Sequence, residues 1–85
     1  MFTEILDYSI YPNPTNGPVT FDIELNRDAP VEIFIFNLQG KFVESRTVSG
    51  KELTEKFDFS TQPSGIYILK FRVGNEVRDK RIIKQ

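Results

Sequence analysis

The 85-residue sequence contains no cysteine, no histidine and no tryptophan. Without an imidazole, there is no base for nucleophilic sites of the Ser-His-Asp or Cys-His type. The absence of cysteine excludes disulfide bonds, and the absence of both cysteine and histidine excludes haem attachment and zinc sites built on these residues. Only carboxylates, lysine, tyrosine and hydroxyl groups are left for catalysis. We therefore predict that the chain is not an enzyme and has no catalytic residue, metal site or cofactor.

Long apolar runs are also missing, since none approaches the ~20 residues of a membrane-spanning helix. The hydrophobic fraction is 39% and the charged fraction 27%, which are typical of folded globular proteins. With eight phenylalanines, the chain can bury enough apolar area to offset its conformational entropy. We predict that residues 1–85 form a single folded domain without direct membrane insertion.

The net charge of −1 is unevenly distributed along the chain. Residues 1–69 carry five Lys and Arg against ten Asp and Glu, a balance of −5. Residues 70–85 carry six against two, a balance of +4. A basic end indicates either an interaction segment or an edge strand protected against aggregation, and the second reading is the more common. The overall acidity, without a broad basic face, disfavours nucleic-acid binding.

Apolar and polar residues alternate with a period of two, which is typical of β-strands. The segments 19–25 and 67–73 each predict a strand with one buried face, and the segment 53–59 follows the pattern less strictly. The segment 31–36 is largely apolar on both faces, which predicts a central strand covered on both sides. No segment shows the apolar spacing of an amphipathic helix, so the chain is predicted to be all-β.

Turn-forming residues separate these segments at intervals of about 8–12 residues. They lie at Tyr11–Pro18, Asn26–Pro30, Asn37–Gly40, Ser49–Lys51, Ser60–Gly65 and Gly74–Asn75. The pair Gly74-Asn75 fits a type II′ hairpin turn, whose twist matches the flanking strands. Counting the segments gives about seven strands, which predicts an antiparallel β-sandwich of immunoglobulin-like type.

The segment Pro12-Asn13-Pro14-Thr15-Asn16-Gly17 is unusually stiff. Each proline fixes its own φ and pushes the preceding residue towards extended geometry. Asn16 and Gly17 then supply residues that accept positive φ. The simpler interpretation is a rigid connection between sheets; the functional one is a preformed recognition loop that loses little entropy on binding.

Two further segments are candidates for function. Gly65 allows a tight start to a strand, and Tyr67 carries a hydroxyl that needs a partner, so a core tyrosine is the first expectation. In the last strand, period two places Lys80, Ile82 and Lys84 on one face, with the intervening residues on the other.

Taken together, the segments Tyr11-Pro12-Asn13-Pro14 with Gly17, Gly40-Lys41, Gly65-Ile66-Tyr67 and the closing strand from Lys80 to Lys84 resemble one family. It is the type A C-terminal sorting domain of type IX secretion system cargo proteins. The resemblance covers about Ile10 to Gln85. It implies that residues 1–85 are one sorting domain excised from a longer cargo protein, with the peptidase cleavage site upstream of the folded part.

The resemblance also implies a function. The domain would be a non-catalytic address that passes through the periplasm with its N-terminal cargo. The outer-membrane translocon would recognise it, a sortase-like peptidase would remove it, and the cargo would reach the cell surface or be secreted. Carried over to this sequence, the recognition motif comprises Pro12, Asn13, Pro14, Gly17, Gly65, Tyr67, Lys80 and Lys84.

An accessory carbohydrate-binding or adhesive β-sandwich module is the alternative interpretation. Such modules usually present an aromatic platform to sugar rings, and tryptophan is absent here. Most phenylalanines also fall on the parities predicted to face inwards, which weakens this alternative.

Overall fold

The computed structural model describes residues 3–85 and contains five β-strands connected by turns and loops. The strands are β1 (Ile5–Tyr11), β2 (Pro18–Asn37), β3 (Phe42–Asp58), β4 (Gly65–Val73) and β5 (Glu76–Lys84). All strand pairs are antiparallel and belong to one sheet in which β2 is central. Strand β3 pairs with one edge of β2. On the other edge of β2, β1 pairs with residues 20–25 and β4 pairs with residues 32–37, and β5 pairs with β4.

Strands β2 and β3 are long because both continue through segments that the sequence predicted as turns. Between the pairs Glu24–Glu52 and Ala29–Gly50, β2 advances by five residues while β3 advances by two. The extra residues form a bulge, which bends a strand and increases its twist. The two strands thus bend together and remain paired on both sides of the bend. Residues 3–85 form five strands where about seven were predicted for the chain, and an immunoglobulin-like sandwich of seven strands is not confirmed.

The bend curls the sheet into two layers that enclose one core. The first layer contains β1 with the paired halves 18–25 of β2 and 52–58 of β3. The second contains halves 42–50 of β3 and 29–37 of β2, followed by β4 and β5. The predicted inward faces of segments 19–25 and 67–73 are confirmed, because their alternate residues are buried. The core consists of Ile5, Val19, Phe21, Ile23, Leu25, Val31, Ile33, Ile35, Phe57, Phe59, Tyr67, Leu69, Phe71, Val73 and Ile82.

The hairpin between β4 and β5 has the predicted turn. Val73 pairs with Glu76, so Gly74 and Asn75 form a two-residue connection. Gly74 has φ 59, and among residues 3–85 every positive φ belongs to a glycine. A positive φ at the first central residue alone distinguishes type II′ from type I′, so the type II′ prediction is confirmed.

The pairing defines two ends of the molecule, whose principal extents are 39 × 22 × 19 Å. We call one the hairpin end: it contains residues 3–5, the bend at 25–30, and the turn at 74–75. The other is the loop end: it contains residues 12–17, 38–41 and 59–64 and the last residues of β5. Within residues 3–85, no helix is long and apolar enough to cross a membrane.

Candidate recognition site

The fold brings the predicted proline loop and the predicted basic strand together at the loop end. Asn13 lies 68 residues before Arg81, yet its side-chain amide donates to the Arg81 carbonyl at 2.7 Å. The Ile83 amide in turn donates to Asn13 Oδ1 at 2.9 Å. A single side chain therefore satisfies two backbone groups on the outer edge of β5, as a neighbouring strand would do.

Thr15 completes this connection and was not singled out from the sequence. Its amide donates to the Ile83 carbonyl, and the Gln85 amide donates to the Thr15 carbonyl, each at 2.9 Å. Thr15 is 2% exposed. Its hydroxyl donates to the Pro18 carbonyl at 2.6 Å and accepts from the Gly17 amide at 3.0 Å. The signal in the sequence was a threonine two residues before a glycine, because such hydroxyls commonly bond the backbone two residues ahead.

The two predicted prolines shape the loop that carries these groups. Pro12 and Pro14 are both exposed and flank Asn13, and the peptide bonds that precede them are both cis. Neither proline has an amide hydrogen to leave unpaired in a loop that runs beside β5.

Glycine is required at two predicted positions for different reasons. A Cβ on Gly17 would lie 2.4 Å from Ser60 Oγ and 3.3 Å from Ser60 Cα, so the loop 59–64 leaves no room for a side chain. The Gly17 carbonyl accepts from the Phe59 amide at 2.8 Å, which holds the two segments at this distance. Gly65 has open space around it, but its φ of 155 is one that residues with a side chain rarely adopt.

Tyr67 is a core residue, as first expected. Its ring centroid lies 5.0 Å from that of Phe59, and its hydroxyl donates to the Pro63 carbonyl at 2.6 Å. The ring packs under the loop end and the hydroxyl anchors the loop that precedes β4. Tyr67 therefore holds the loop of the candidate site in place from within the core and does not form part of the exposed surface.

The two predicted lysines flank the buried Ile82 on the inward parity of β5. The Lys80 ammonium lies 5.7 Å from the centroid of the Tyr8 ring, a cation–π distance. Lys84 is half-buried and close to Asp58. The pKa of Asp58 is lowered chiefly by hydrogen bonds from the Ser60 hydroxyl and amide, and the charge of Lys84 lowers it further.

Three of the four basic residues of β5 keep their charge available for a partner, whereas Arg78 pairs with Glu76. In the described part of the chain, Lys80, Arg81 and Lys84 form no salt bridge. Across residues 3–85, no group of three or more Asp or Glu side chains is arranged to hold a metal ion. The arrangement is a rigid loop attached to a basic strand, which is suited to recognition by another macromolecule.

Residues 9–85 match the family described as Secretion system C-terminal sorting domain. The chain is also similar in structure to dimeric latent PorU from Porphyromonas gingivalis, with a TM-score of 0.70 and 22% identity. That alignment covers 93% of this chain and 9% of the PorU chain, and at such low identity it shows the fold alone. A search of curated proteins finds no match. Because the family match spans nearly all of its residues, the chain belongs to the family of type IX secretion system C-terminal sorting domains.

Proposed function

We propose that the chain is a non-catalytic address of the type A form that directs an attached N-terminal cargo through the type IX secretion system. The observation that carries this proposal is the family match over residues 9–85. Sorting domains of this family imply a cargo that is secreted or displayed at the cell surface. We propose three steps: the cargo and its sorting domain pass through the periplasm, the outer-membrane translocon recognises the domain, and a sortase-like peptidase removes it.

We further propose that the translocon recognises the loop end as a unit. The proline loop and β5 are joined by four hydrogen bonds, two from the Asn13 side chain and two from the Thr15 backbone. A receptor would therefore meet both segments in one fixed geometry, which lowers the entropic cost of binding. The unpaired charges of Lys80 and Lys84 would supply electrostatic attraction to a carboxylate-bearing receptor.

The test is to fuse the domain to the C-terminus of a periplasmic reporter in a bacterium that has a type IX secretion system. The expected result is reporter at the cell surface or in the medium, in a form from which an epitope at the domain's C-terminus has been lost. Reporter that stays in the periplasm with the intact domain would contradict the proposal. Reporter that is exported with the epitope retained would contradict the removal step alone.

The role of the basic strand is best tested by substitution. Deletion of residues 80–85 would remove the fully buried Ile82 and the partners of Asn13, so loss of export could reflect unfolding. The double variant Lys80→Gln/Lys84→Gln removes the charges and keeps Ile82. We expect reduced export of this variant with only a small loss of thermal stability, because the cation–π contact with Tyr8 and the attraction of Lys84 to Asp58 are lost. Wild-type export would contradict the role of the two lysines. The matched control is Lys51→Gln/Lys56→Gln on β3.

A glycan-binding function would be supported by an exposed aromatic platform, and among residues 3–85 Phe42 is the most exposed ring that could provide one. However, the rings of Phe36 and Phe42 meet at 73°, edge to face, with centroids 6.1 Å apart. Rings in that arrangement do not offer a shared flat surface to a sugar. Affinity in a glycan-binding screen, together with failure of reporter export, would favour this alternative.

A further inference from the structure

The outer face of the second layer carries a cluster of apolar side chains. Because alternate residues of β2 and β4, together with Ile82 of β5, are buried in the core, the residues between and beside them point outwards. Near the loop end these outward residues are apolar, and we call them the outer patch: Phe34, Phe36, Phe42, Ile66, Ile68 and Ile83. The segment 31–36 was predicted to be covered on both sides, but among residues 3–85 no element covers this face.

The outer patch is continuous across four strands. Phe36 pairs with Phe42 of β3 on one side and with Ile68 of β4 on the other. Ile66 of β4 pairs with Ile83 of β5. At the two margins, Phe42 is 55% and Ile83 45% exposed, whereas the members between them are half-buried by their neighbours. An apolar area this continuous on a small protein usually marks an interaction surface.

The outer face of the first layer is very different. Its outward residues include Asp7, Asp22, Glu24 and Glu52, with Lys56 as the basic residue of the same face. The exposed apolar side chains of this layer are Leu6 and Tyr11 of β1, which are not adjacent, and the Tyr11 hydroxyl donates to Asp22 Oδ2 at 2.5 Å. The apolar surface is therefore specific to one side of the molecule, and the other side is acidic.

The charges around the outer patch indicate what it binds. Lys41 lies in the turn beside Phe42, and Lys70 and Arg81 lie on the same face of β4 and β5. None of these three forms a salt bridge in the part of the chain that the structure describes. The acidic residues of this margin are Asp79, opposite Lys70 in the register, and Glu32, which forms a salt bridge with Arg72. The complementary surface therefore has apolar side chains at its centre and carboxylates around them.

The position and shape of the patch favour a protein partner over a lipid surface. Four of its six members are half-buried side chains packed side by side on a sheet, a shape that matches a flat protein face better than a bilayer. Ile83 also lies in β5 directly beside Asn13, so the patch is contiguous with the loop end. One receptor could contact both.

We propose that the outer patch is the surface through which the sorting domain binds the export machinery, by way of an apolar protein surface bordered by carboxylates. This inference rests on the proposed sorting function and specifies the surface that performs it. The loop end would then provide orientation and charge, while the outer patch provides the apolar anchors that dominate most interfaces.

The test uses the reporter fusion described above, with the double variant Phe42→Thr/Ile83→Thr. Both positions are exposed, and threonine retains a strand-compatible side chain, so the fold should survive. The matched control is Leu6→Thr/Val77→Thr, because these residues are 54% and 46% exposed and lie outside the patch. We expect export of the patch variant to fall about tenfold or more, as when interface anchors are truncated, while the control is exported normally.

A competition experiment tests whether the patch variant loses export because it no longer binds the export machinery. Free wild-type domain, produced in the periplasm without cargo, should reduce export of the reporter, whereas the free patch variant should not. If Phe42→Thr/Ile83→Thr lowers the melting temperature, the exposed pair Lys41→Glu/Arg81→Glu tests the same surface by charge reversal, and the same loss of export is expected.

Several results would overturn the proposal. Normal export of both the patch variant and the charge-reversal variant would do so while leaving the sorting function intact, whereas absence of wild-type export would contradict the sorting function itself. A wild-type dimer in sedimentation that the patch variant abolishes without affecting export would assign the surface to a second copy of the chain. Binding to vesicles of anionic phospholipid that is lost in the variant while export is retained would assign it to lipid.

Discussion

The two ends of the molecule are closed by different kinds of interaction. At the hairpin end, arginines pair with carboxylates: Arg27 with Glu4 at 2.7 Å, Arg72 with Glu32 at 2.6 Å and Arg78 with Glu76 at 3.6 Å. The Glu76 carboxylate also accepts from the amides of Glu4 and Ile5, which ties the start of β1 to β5. The arginines at this end thus form salt bridges within the domain.

At the loop end, uncharged groups connect the strands and loops. Asn13 and Thr15 join the loop to β5 through amide and carbonyl groups, and Thr15 and Tyr67 bond the backbone through hydroxyls. Lys84 and Arg81 at this end are left without salt bridges within residues 3–85. A domain of net charge −1 can thus present a basic surface at one end, because the hydrogen bonds that close this end do not use the charges of Arg81 and Lys84.

The largest effect on stability is expected at Thr15. Thr15→Val keeps the shape of the side chain but leaves the Gly17 amide and the Pro18 carbonyl without their partner in a buried position. We expect a loss of about 2–3 kcal/mol in the free energy of unfolding, measured by urea denaturation. Thr15→Ser retains the hydroxyl and should lose much less. Equal stability of all three proteins would show that the loop end does not depend on this residue.

A smaller effect is expected at Asn13. Asn13→Ala removes both side-chain bonds to β5, but water can reach the exposed groups, so the expected loss is about 1–2 kcal/mol. The Ile83 amide should also exchange its hydrogen faster, which NMR can follow. Asn16→Ala is the matched control, since Asn16 is exposed in the same loop and should change stability by less than about 0.5 kcal/mol. Unchanged exchange at Ile83 in Asn13→Ala would contradict the proposed connection.

The smallest effects concern one carboxylate at each end. The pKa of Glu4 lies below its ordinary value of 4.5 because Arg27 donates hydrogen bonds to it, and desolvation opposes this only in part. The pKa of Asp58 lies below its ordinary value of 3.8 because of Ser60. A depressed folded-state pKa means that the stabilisation is complete above the ordinary value and is lost as the pH falls through the folded one. Acid should therefore reduce the stability contributed by each carboxylate, below about pH 4.5 for Glu4 at the hairpin end and below about pH 3.8 for Asp58 at the loop end.

Carboxyl titration by NMR separates these two effects. Arg27→Met should raise the pKa of Glu4 and leave that of Asp58 unchanged, because the hydrogen bonds that lower the Glu4 pKa come from Arg27. Ser60→Ala should raise the pKa of Asp58 and leave that of Glu4 unchanged. A change at the distant carboxylate in either variant would mean that the two ends are coupled.

Much of the fold could be predicted because strand faces and the hairpin turn are local properties. The buried parity of segments 19–25 and 67–73 and the type II′ turn at Gly74-Asn75 follow from neighbouring residues alone. Continuity through Asn26–Pro30 and Ser49–Lys51 could not be predicted in this way. Residues that favour a turn are equally compatible with a bulge, and only the simultaneous bending of the paired strand keeps both strands intact.

The candidate site was predictable in its parts and not in its arrangement. The stiffness of the Pro12–Pro14 segment and the shared face of Lys80, Ile82 and Lys84 were apparent from residue types and spacing. The contact of Asn13 with Arg81 joins residues 68 positions apart, and the role of Thr15 depends on that contact. The alternation of segment 31–36 places Phe34 and Phe36 on the face opposite Ile33 and Ile35, but the prediction that both faces are covered was wrong, because whether a second layer covers a face depends on how the whole sheet curls.

The sequence by itself determined the all-β character, the lack of cysteine and histidine side chains, and the basic last strand. It also carried the resemblance to the sorting-domain family, which the family match over residues 9–85 confirms. These are properties of composition and of local spacing. Only the tertiary structure decided that the loop and the last strand form one surface, and that the apolar face beside them is uncovered. Both depend on long-range strand pairing, which brings together residues whose spacing along the chain carries no record of their proximity.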